Sequence, residues 1–362
     1  MTWASRAHVS IDQGARRLNV STRDNDRMAA APLPIERREF DADTLFVQHP
    51  PIWHHPSKQV VYDIALAPGD SPGGQLAYSR WEAMPLPDRL GLEPADALVL
   101  GRDGYFDYEP VLDPAGAVEW HVNFADPYLF VAYGSALFAQ DEMQVAEHPA
   151  LGALLEALRS DGGRPVTVEH GQPTPILIMG VERRCRVATD PNHAEGRPYG
   201  LYGNAFARAS ADAIARATTR IDPPTITNLI AMAAPPGGYG RYRTDEIELV
   251  LATAFTGFRA AVLESGRQRG PGVRVAVHTG YWGCGAFGGN RVLMAILQVL
   301  AARMAGLDRL VFHTGDIGGR APLTEASQII REDLGGQANQ ETRESIVRIE
   351  AMGFEWGVSD GN

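Results

Sequence analysis

From about residue 95 onward, apolar residues recur along the chain with two alternating periods. The short, nearly continuous runs Ala117–Phe124, Pro175–Gly180, Thr225–Met232, Val273–Thr279 and Arg309–Thr314 predict strands. Between them lie stretches with three- and four-residue spacing. Gln140–Leu158 predicts a helix broken at Pro149, with Met143, Leu151, Leu154, Leu155 and Leu158 available for burial. Thr244–Ser265 is the clearest helix, because Ile247, Val250, Leu251, Ala254, Phe255, Phe258 and Val262 line one face. Asn290–Ala305 predicts another, and two short helices follow, ending before Gly335 and Gly353, where a left-handed cap favours glycine. Fully apolar strands alternating with helices imply an α/β domain whose sheet is covered on both faces. The first 90 or so residues read differently. They carry Pro32, Pro34, Pro50, Pro51, Pro56, Pro68, Pro72, Pro85 and Pro87 and few periodic runs, which predicts an irregular region of short strands and loops. The expected division is therefore an N-terminal accessory region over 1–94 and an α/β domain over 95–362.

Composition narrows the partners. The 362 residues include 33 basic and 44 acidic side chains, a formal charge of −11, and 44% of them are hydrophobic. That apolar fraction excludes general disorder. The negative charge leaves no broad basic face for duplex nucleic acid or an anionic membrane. Lys58 is the only lysine. Cys185 and Cys284 fit no spacing motif, which suggests a reduced, cytoplasmic setting. The N-terminus lacks an apolar signal-peptide core. The longest apolar run, Val292–Ala302, is interrupted by Gln298 and falls short of the ~20 residues of a membrane span. His49, His54 and His55 match no standard zinc spacing, so no metal is expected there.

Chemistry concentrates where the strand Val273–Thr279 enters a loop with Gly283, Gly285, Gly288 and Gly289 and a helix leaves it. Glycines let a backbone approach a ligand closely, and the free N–H groups of the helix start favour phosphate. Gly283, Gly285 and Gly288 fit G-x-G-x-x-G in a strand–turn–helix context, so a nicotinamide oxidoreductase is one reading. Only about 70 residues follow, however, and the acid at the right distance, Asp308, begins the next strand instead of ending it. A tight turn that only lets helix pack on strand is another reading. Nearby, His278 and His313 stand at the ends of adjacent-looking strands, placed to touch a phosphate or to pack.

The stretch Thr279–Asn290, reading T-G-Y-W-G-C-G-A-F-G-G-N, resembles the T-G-N-W-G-C-G-A-F-G-G-D block of the poly(ADP-ribose) glycohydrolases. Trp282 to Gly289 is shared, and Tyr281 and Asn290 are departures. The resemblance implies a macrodomain, a mixed sheet between helices, with this loop as wall of a nucleotide site. Gly283, Cys284, Gly285, Ala286, Phe287 and Gly288 would line the ligand, Phe287 lying over the ribose-diphosphate and Cys284 packing rather than reacting. Upstream, Val122-Asn123-Phe124-Ala125-Asp126 resembles the family's V-D-F-A-N strand end, and Gln140-Asp141-Glu142 stands where the family has Gln-Glu-Glu. By that resemblance Glu142 is the catalytic acid and Asp141 the carboxylate that holds ligand hydroxyls, with Asn123, Asp126 and Gln140 beside them. The residue types suit ribosyl cleavage, whose oxocarbenium-like state needs a proton from a carboxylic acid of raised pKa. The same acids would also suit the opening of a helix near Gln140.

Departures from the family are equally specific. Its triple glycine is Phe130-Val131-Ala132, and its strand-end asparagine is Asp126. Ile176–Glu182 resembles a family strand, and Tyr199–Phe206 matches its Y-x-G-Y-A-E-T-Y/F spacing, placing Tyr202 where a tyrosine stacks on adenine. The opposing aromatic aligns with Thr314. The expected function is hydrolysis of a ribosyl bond in an ADP-ribose-type nucleotide or a small NAD-derived substrate, without a cofactor. The alternative is a macrodomain that binds such a ligand without turnover.

Overall fold

The computed structural model describes residues 32–90, 98–334 and 340–361. Elements run in the order β1 (Glu36–Asp41), α1 (Ala42–Gln48), α2 (Pro56–Ala65), β2 (Gln75–Arg80), β3 (Val99–Arg102), β4 (Ala117–Ala125), α3 (Gln140–Glu147) and α4 (Ala150–Ser160). There follow the short strands β5 (Val168–Glu169) and β6 (Gln172–Pro173), then β7 (Ile176–Val187), α5 (Ala211–Ala217), β8 (Thr218–Ala233), α6 (Thr244–Arg269) and β9 (Arg274–Thr279). The chain closes with α7 (Arg291–Ala305), β10 (Arg309–His313), α8 (Arg320–Ile329) and α9 (Thr342–Ala351). Eight strands form one mixed sheet in the order β1-β2-β7-β8-β4-β9-β10-β3. From β8 to β3 every neighbour is parallel, and from β1 to β8 every neighbour is antiparallel.

Periodicity located these elements well where packing repeats. Pro149 does break the helix between α3 and α4, because a proline at the start of the second segment supplies no N–H to the first. Strands β7 and β8 run past the expected apolar cores. The sequence Asp222-Pro223-Pro224 reads as a breaker, yet β8 extends from Thr218 through it, with a register shift between Arg183 and Cys185 on β7. Irregular pairing of this kind lets a strand carry proline, since no ladder N–H is demanded there.

Residues 36–80, expected to be irregular, hold two helices and two strands of the same sheet. Leu33–Asn362 clusters as one compact unit. The prolines sit between these elements or at their ends. Pro56 occupies the first turn of α2, the helical position that tolerates a missing N–H.

The two faces of the sheet differ in chemistry. On one, Val118, Trp120, Val122, Ile230, Met232, Val275, Val277, Leu310 and Phe312 share an apolar core with α6, α7 and α8. On the other, the β2-β7-β8 half packs Ile176, Ile178, Leu229 and Ala231 against Leu151, Leu154, Leu155 and Leu158 of α4. The β4-β9-β10 half of that second face instead carries Glu119, His121, Asn123, His278 and His313. It is roofed by the loop that follows β3, whose Phe106 ring meets His121, Phe124 and His313 edge-on at 5.5, 6.2 and 5.0 Å. Among the described residues no helix is long and apolar enough to cross a membrane.

Candidate active site

In an open parallel sheet the carboxyl ends of the strands are where loops diverge and ligands gain access to backbone. Here those ends belong to β4, β8, β9 and β10, and most of the residues singled out from sequence gather there.

The first turn of α3 is fastened to β4 by side chains. Gln140 Oε1 accepts the Phe124 N–H at 2.7 Å and its Nε2 donates to the Val122 carbonyl at 3.0 Å. The Gln140 amide thus copies a backbone partner and extends the ladder. It is committed to the strand rather than offered to a ligand. Beside it, Asn123 Nδ2 donates to Asp141 Oδ1 at 3.0 Å and to Gln144 Oε1 at 2.9 Å, while Asn123 Oδ1 is buried without a protein partner. Glu142 is the third residue of α3, and its Oε2 accepts the Ala139 N–H at 3.0 Å, closing the helix start as a capping box does.

Asp141 and Glu142 are 6% and 4% exposed. Burial, followed by the charge of Glu142, pushes the Asp141 carboxyl well above its ordinary range. Burial likewise raises Glu142, against the pull of Lys58. Lys58, on α2, is fully buried. Its Nζ donates to the Tyr133 carbonyl at 2.7 Å and stands 5.4 Å from the Phe138 ring centroid. Burial depresses this ammonium to about 8, and the two carboxylates partly restore it. Lys58 belongs to no motif, and its being the chain's one lysine is the only signal of it in the sequence.

The loop that replaces the triple glycine differs in substance. Phe130 adopts φ 50°, a left-handed conformation that glycine would take without strain, and buries its side chain in the core under α4. Val131 is half exposed. Asp126 lies close enough to raise both carboxyls of the pair, and its Oδ1 accepts the Tyr128 N–H at 3.0 Å.

On the other side of β4 the glycine turn leaves β9. Gln298 of α7 is fully buried, takes a hydrogen bond from the Thr279 hydroxyl, and donates to the Gly280 carbonyl at 3.0 Å. Gly283 has φ 76°, and a Cβ there would lie 2.5 Å from Ala234, so glycine is required both for conformation and for close approach. Asn290 Oδ1 caps α7 through the N–H groups of Val292 and Leu293, both at 3.1 Å. Cys284 and Phe287 are partly buried against the main core, and burial raises the Cys284 thiol to about 12, which disfavours the thiolate. Ala286 is exposed. Gly285 and Gly288 meet the C-terminal segment: the Gly357 N–H bonds the Gly288 carbonyl at 2.8 Å, and Asp360 Oδ2 lies 3.1 Å from where a Gly285 Cβ would stand. Asn204 Nδ2, two residues past Tyr202, donates to the Gly361 carbonyl at 3.0 Å. The tail therefore bridges the glycine turn and the Tyr202 loop.

Tyr202 is brought to the helix start, where it meets the Gln140 backbone and feels the charges of Asp360 and Glu142. It stacks on Tyr105 with centroids 6.4 Å apart. Tyr105 comes from the loop after β3 and was not anticipated. Asp308 bonds Val275 at the opposite, amino end of β9, through 2.8 and 2.9 Å contacts, which removes the acid that a dinucleotide fingerprint would need. His55 Nδ1 accepts the Ser57 N–H at 3.3 Å as a cap of α2. His278 and His313 are buried under the Phe106 roof.

A family model described as poly(ADP-ribose) glycohydrolase, macro domain fold, matches residues 176–318. That segment contains Tyr202 and the glycine turn, whereas Asn123, Asp126 and Gln140–Glu142 precede it. Among solved structures, the poly(ADP-ribose) glycohydrolase of Thermomonospora curvata is 18% identical over 59% of this chain and 68% of its own, with a TM-score of 0.36. That of Deinococcus radiodurans, solved with ADP-ribose, is 14% identical over 83% of this chain and 95% of its own, with a TM-score of 0.39.

Two predictions follow from the geometry. Gln298→Leu leaves the Gly280 carbonyl and Thr279 hydroxyl without their partner in the interior, and should cost about 1–3 kcal/mol, read as a lower urea midpoint at unchanged slope. Lys58→Met removes the cation that eases ionisation of the pair, so both carboxyl midpoints, followed by carbon-13 NMR, should move to higher pH. The sign for stability is definite: with folded-state values above the unfolded ones, the pair's contribution is full below about pH 4 and is lost as pH rises through the folded values.

Residues 176–318, which contribute β7, β8, β9 and β10 to the mixed sheet, are thus similar to the poly(ADP-ribose) glycohydrolase family with its macro domain fold.

Proposed function

We propose that this protein is a glycohydrolase that binds an ADP-ribose-type nucleotide and cleaves a ribosyl bond, with Glu142 as the general acid. The observation that carries this reading is the buried Asp141–Glu142 pair on the first turn of α3, at the carboxyl ends of the parallel strands. Burial raises the Glu142 carboxyl and so favours its protonated form, and a protonated carboxyl can pass its proton to a leaving ribosyl oxygen as the glycosidic bond lengthens. Asp141, oriented by Asn123, is suited to accept from ribose hydroxyls as positive charge spreads over the ring. The backbone of the glycine turn suits the diphosphate, and Tyr202 with Tyr105 offers aromatic faces for a base. The Deinococcus radiodurans structure was solved with ADP-ribose, which supports this ligand class.

One observation favours a narrower substrate. The Phe130 side chain fills the core where the family's glycines would expose backbone, so that half of the cradle offers a long polyanion fewer N–H donors. An acidic surface of net charge −11 adds no long-range attraction for such a chain. A mononucleotide ligand, ADP-ribose itself or a small NAD-derived conjugate, fits these features better than polymer. Binding without turnover is the second reading.

Glu142→Gln should lower turnover of the cleaved substrate by about 10²–10⁴-fold while calorimetry still registers ADP-ribose binding. Undiminished turnover would remove Glu142 from the role, and binding with no turnover by the unmodified protein would establish the second reading. Because Asp360 lies against Gly285, where a phosphate would come, Asp360→Asn should tighten ADP-ribose binding by about two- to fivefold, an effect that fades at high salt.

A further inference from the structure

Beneath the Phe106 roof, the ring nitrogens of His278 and His313 face each other. Nδ1 of His278 and Nε2 of His313 are 3.1 Å apart, and the residues are 0% and 3% exposed. The outer nitrogen of each ring is already spoken for. His278 Nε2 lies 2.7 Å from Glu119 Oε2, and His313 Nδ1 lies 3.0 Å from the Tyr105 carbonyl. A carbonyl and a carboxylate only accept, so an imidazole carrying one N–H spends it outward at each of these contacts. Two lone pairs are then left pointing at one another in a dry interior. Such an arrangement is relieved by a cation, either a proton or a metal ion, between or beside the two nitrogens.

We propose that His278 Nδ1, His313 Nε2 and the Asp107 carboxylate form a binding site for one divalent transition-metal ion of the zinc class. The ligand atoms of all three lie within 4.8 Å of one another. Two nitrogens bound tetrahedrally to zinc at about 2.0–2.1 Å stand roughly 3.3 Å apart, close to the spacing present. The outer contacts are those expected of metal-binding histidines, whose second N–H is held by a carboxylate or a backbone carbonyl, fixing tautomer and ring angle. Asp107 is exposed and gives the ion an entry path, and its carboxylate also pairs with Arg102 Nη1 at 2.9 Å and accepts the Glu109 N–H at 3.0 Å. The ion therefore takes the oxygen lone pairs that Arg102 leaves. Imidazole and carboxylate ligands without thiolate suit zinc or its first-row neighbours. Bound there, the metal would clasp the 103–109 loop onto the ends of β9 and β10, steadying Tyr105, which stacks on Tyr202 at the rim of the candidate active site. This site stands independently of the ribosyl chemistry proposed above.

The full chain, stripped of metal by dialysis against a chelator, is titrated with Zn²⁺ by calorimetry and with Co²⁺ by visible absorption. The expected result is one equivalent bound at micromolar or tighter affinity, with the intense cobalt bands of a four-coordinate site. His313→Gln should abolish that equivalent. Glu119→Gln, which spares all three ligands, should weaken it by about 10–100-fold. Asp107→Asn, an exposed change that leaves the interior packed, guards against loss of binding through misfolding and should also weaken it. Absence of stoichiometric binding, or binding indifferent to both His313→Gln and Asp107→Asn, overturns the proposal. So does a nitrogen-15 spectrum at saturating Zn²⁺ in which one proton is still shared between His278 Nδ1 and His313 Nε2.

Discussion

Two adjacent carboxyl groups kept from water are the constraint around which the rest of the candidate site is arranged. An ionised carboxylate in an interior costs several kcal/mol unless it is paired or hydrogen-bonded, and two side by side cost more. The protein answers in three ways. It raises both carboxyls, which favours their neutral forms, it brings the chain's one lysine within Coulombic reach, and it supplies donors from Asn123 and from the Ala139 backbone. Each answer fixes a piece of architecture. Asn123 must stand on β4, Lys58 must come from α2, and α3 must begin where Gln140 can hydrogen-bond to the strand end.

That requirement also explains why residues 36–80 are part of the same folded body. Lys58 reaches the pair only because α2 packs beside α3 and its ammonium is tied to the Tyr133 carbonyl. Strands β1 and β2 extend the sheet on the same side. The loop carrying Phe130, Tyr133 and Gly134 is held from both directions, by Lys58 below and by the N–H groups of His54 and His55, which bond the Gly134 carbonyl at 2.9 and 3.0 Å. A glycine-rich loop needs no such support. A loop with a buried phenylalanine in a left-handed conformation does.

The sheet's unequal faces have a related origin. One face is apolar from end to end, and its helices were visible as periodic runs. The second changes character at β4. There Glu119, His121 and Asn123 alternate with Val118, Trp120 and Val122, so one strand serves a dry core on one side and a polar interior on the other. Alternation of this kind ordinarily marks a strand with one face in water. Here the polar side is closed by a loop from outside the periodic pattern, and the histidines beneath it were legible as residues near strand ends but not as a buried array.

What the sequence determined by itself was whatever rests on local order: the apolar cores of β4, β7, β8, β9 and β10, the helices α3, α4, α6 and α7, the break at Pro149, the glycine turn after β9, and the adjacency of Asp141 to Glu142 on one helical turn. These follow from periodicity, backbone permissiveness and chain neighbours, all of which are properties of short segments. Tertiary structure alone decided that residues 36–80 complete the sheet, that Gln140 spends its amide on β4, that Lys58 faces the acids, and that the tail lies across Gly285. Each of those joins residues far apart in the chain, through contacts whose energy depends on burial. A linear pattern carries no measure of which distant groups will share a dry interior, and so it named the chemistry without placing the charges that tune it.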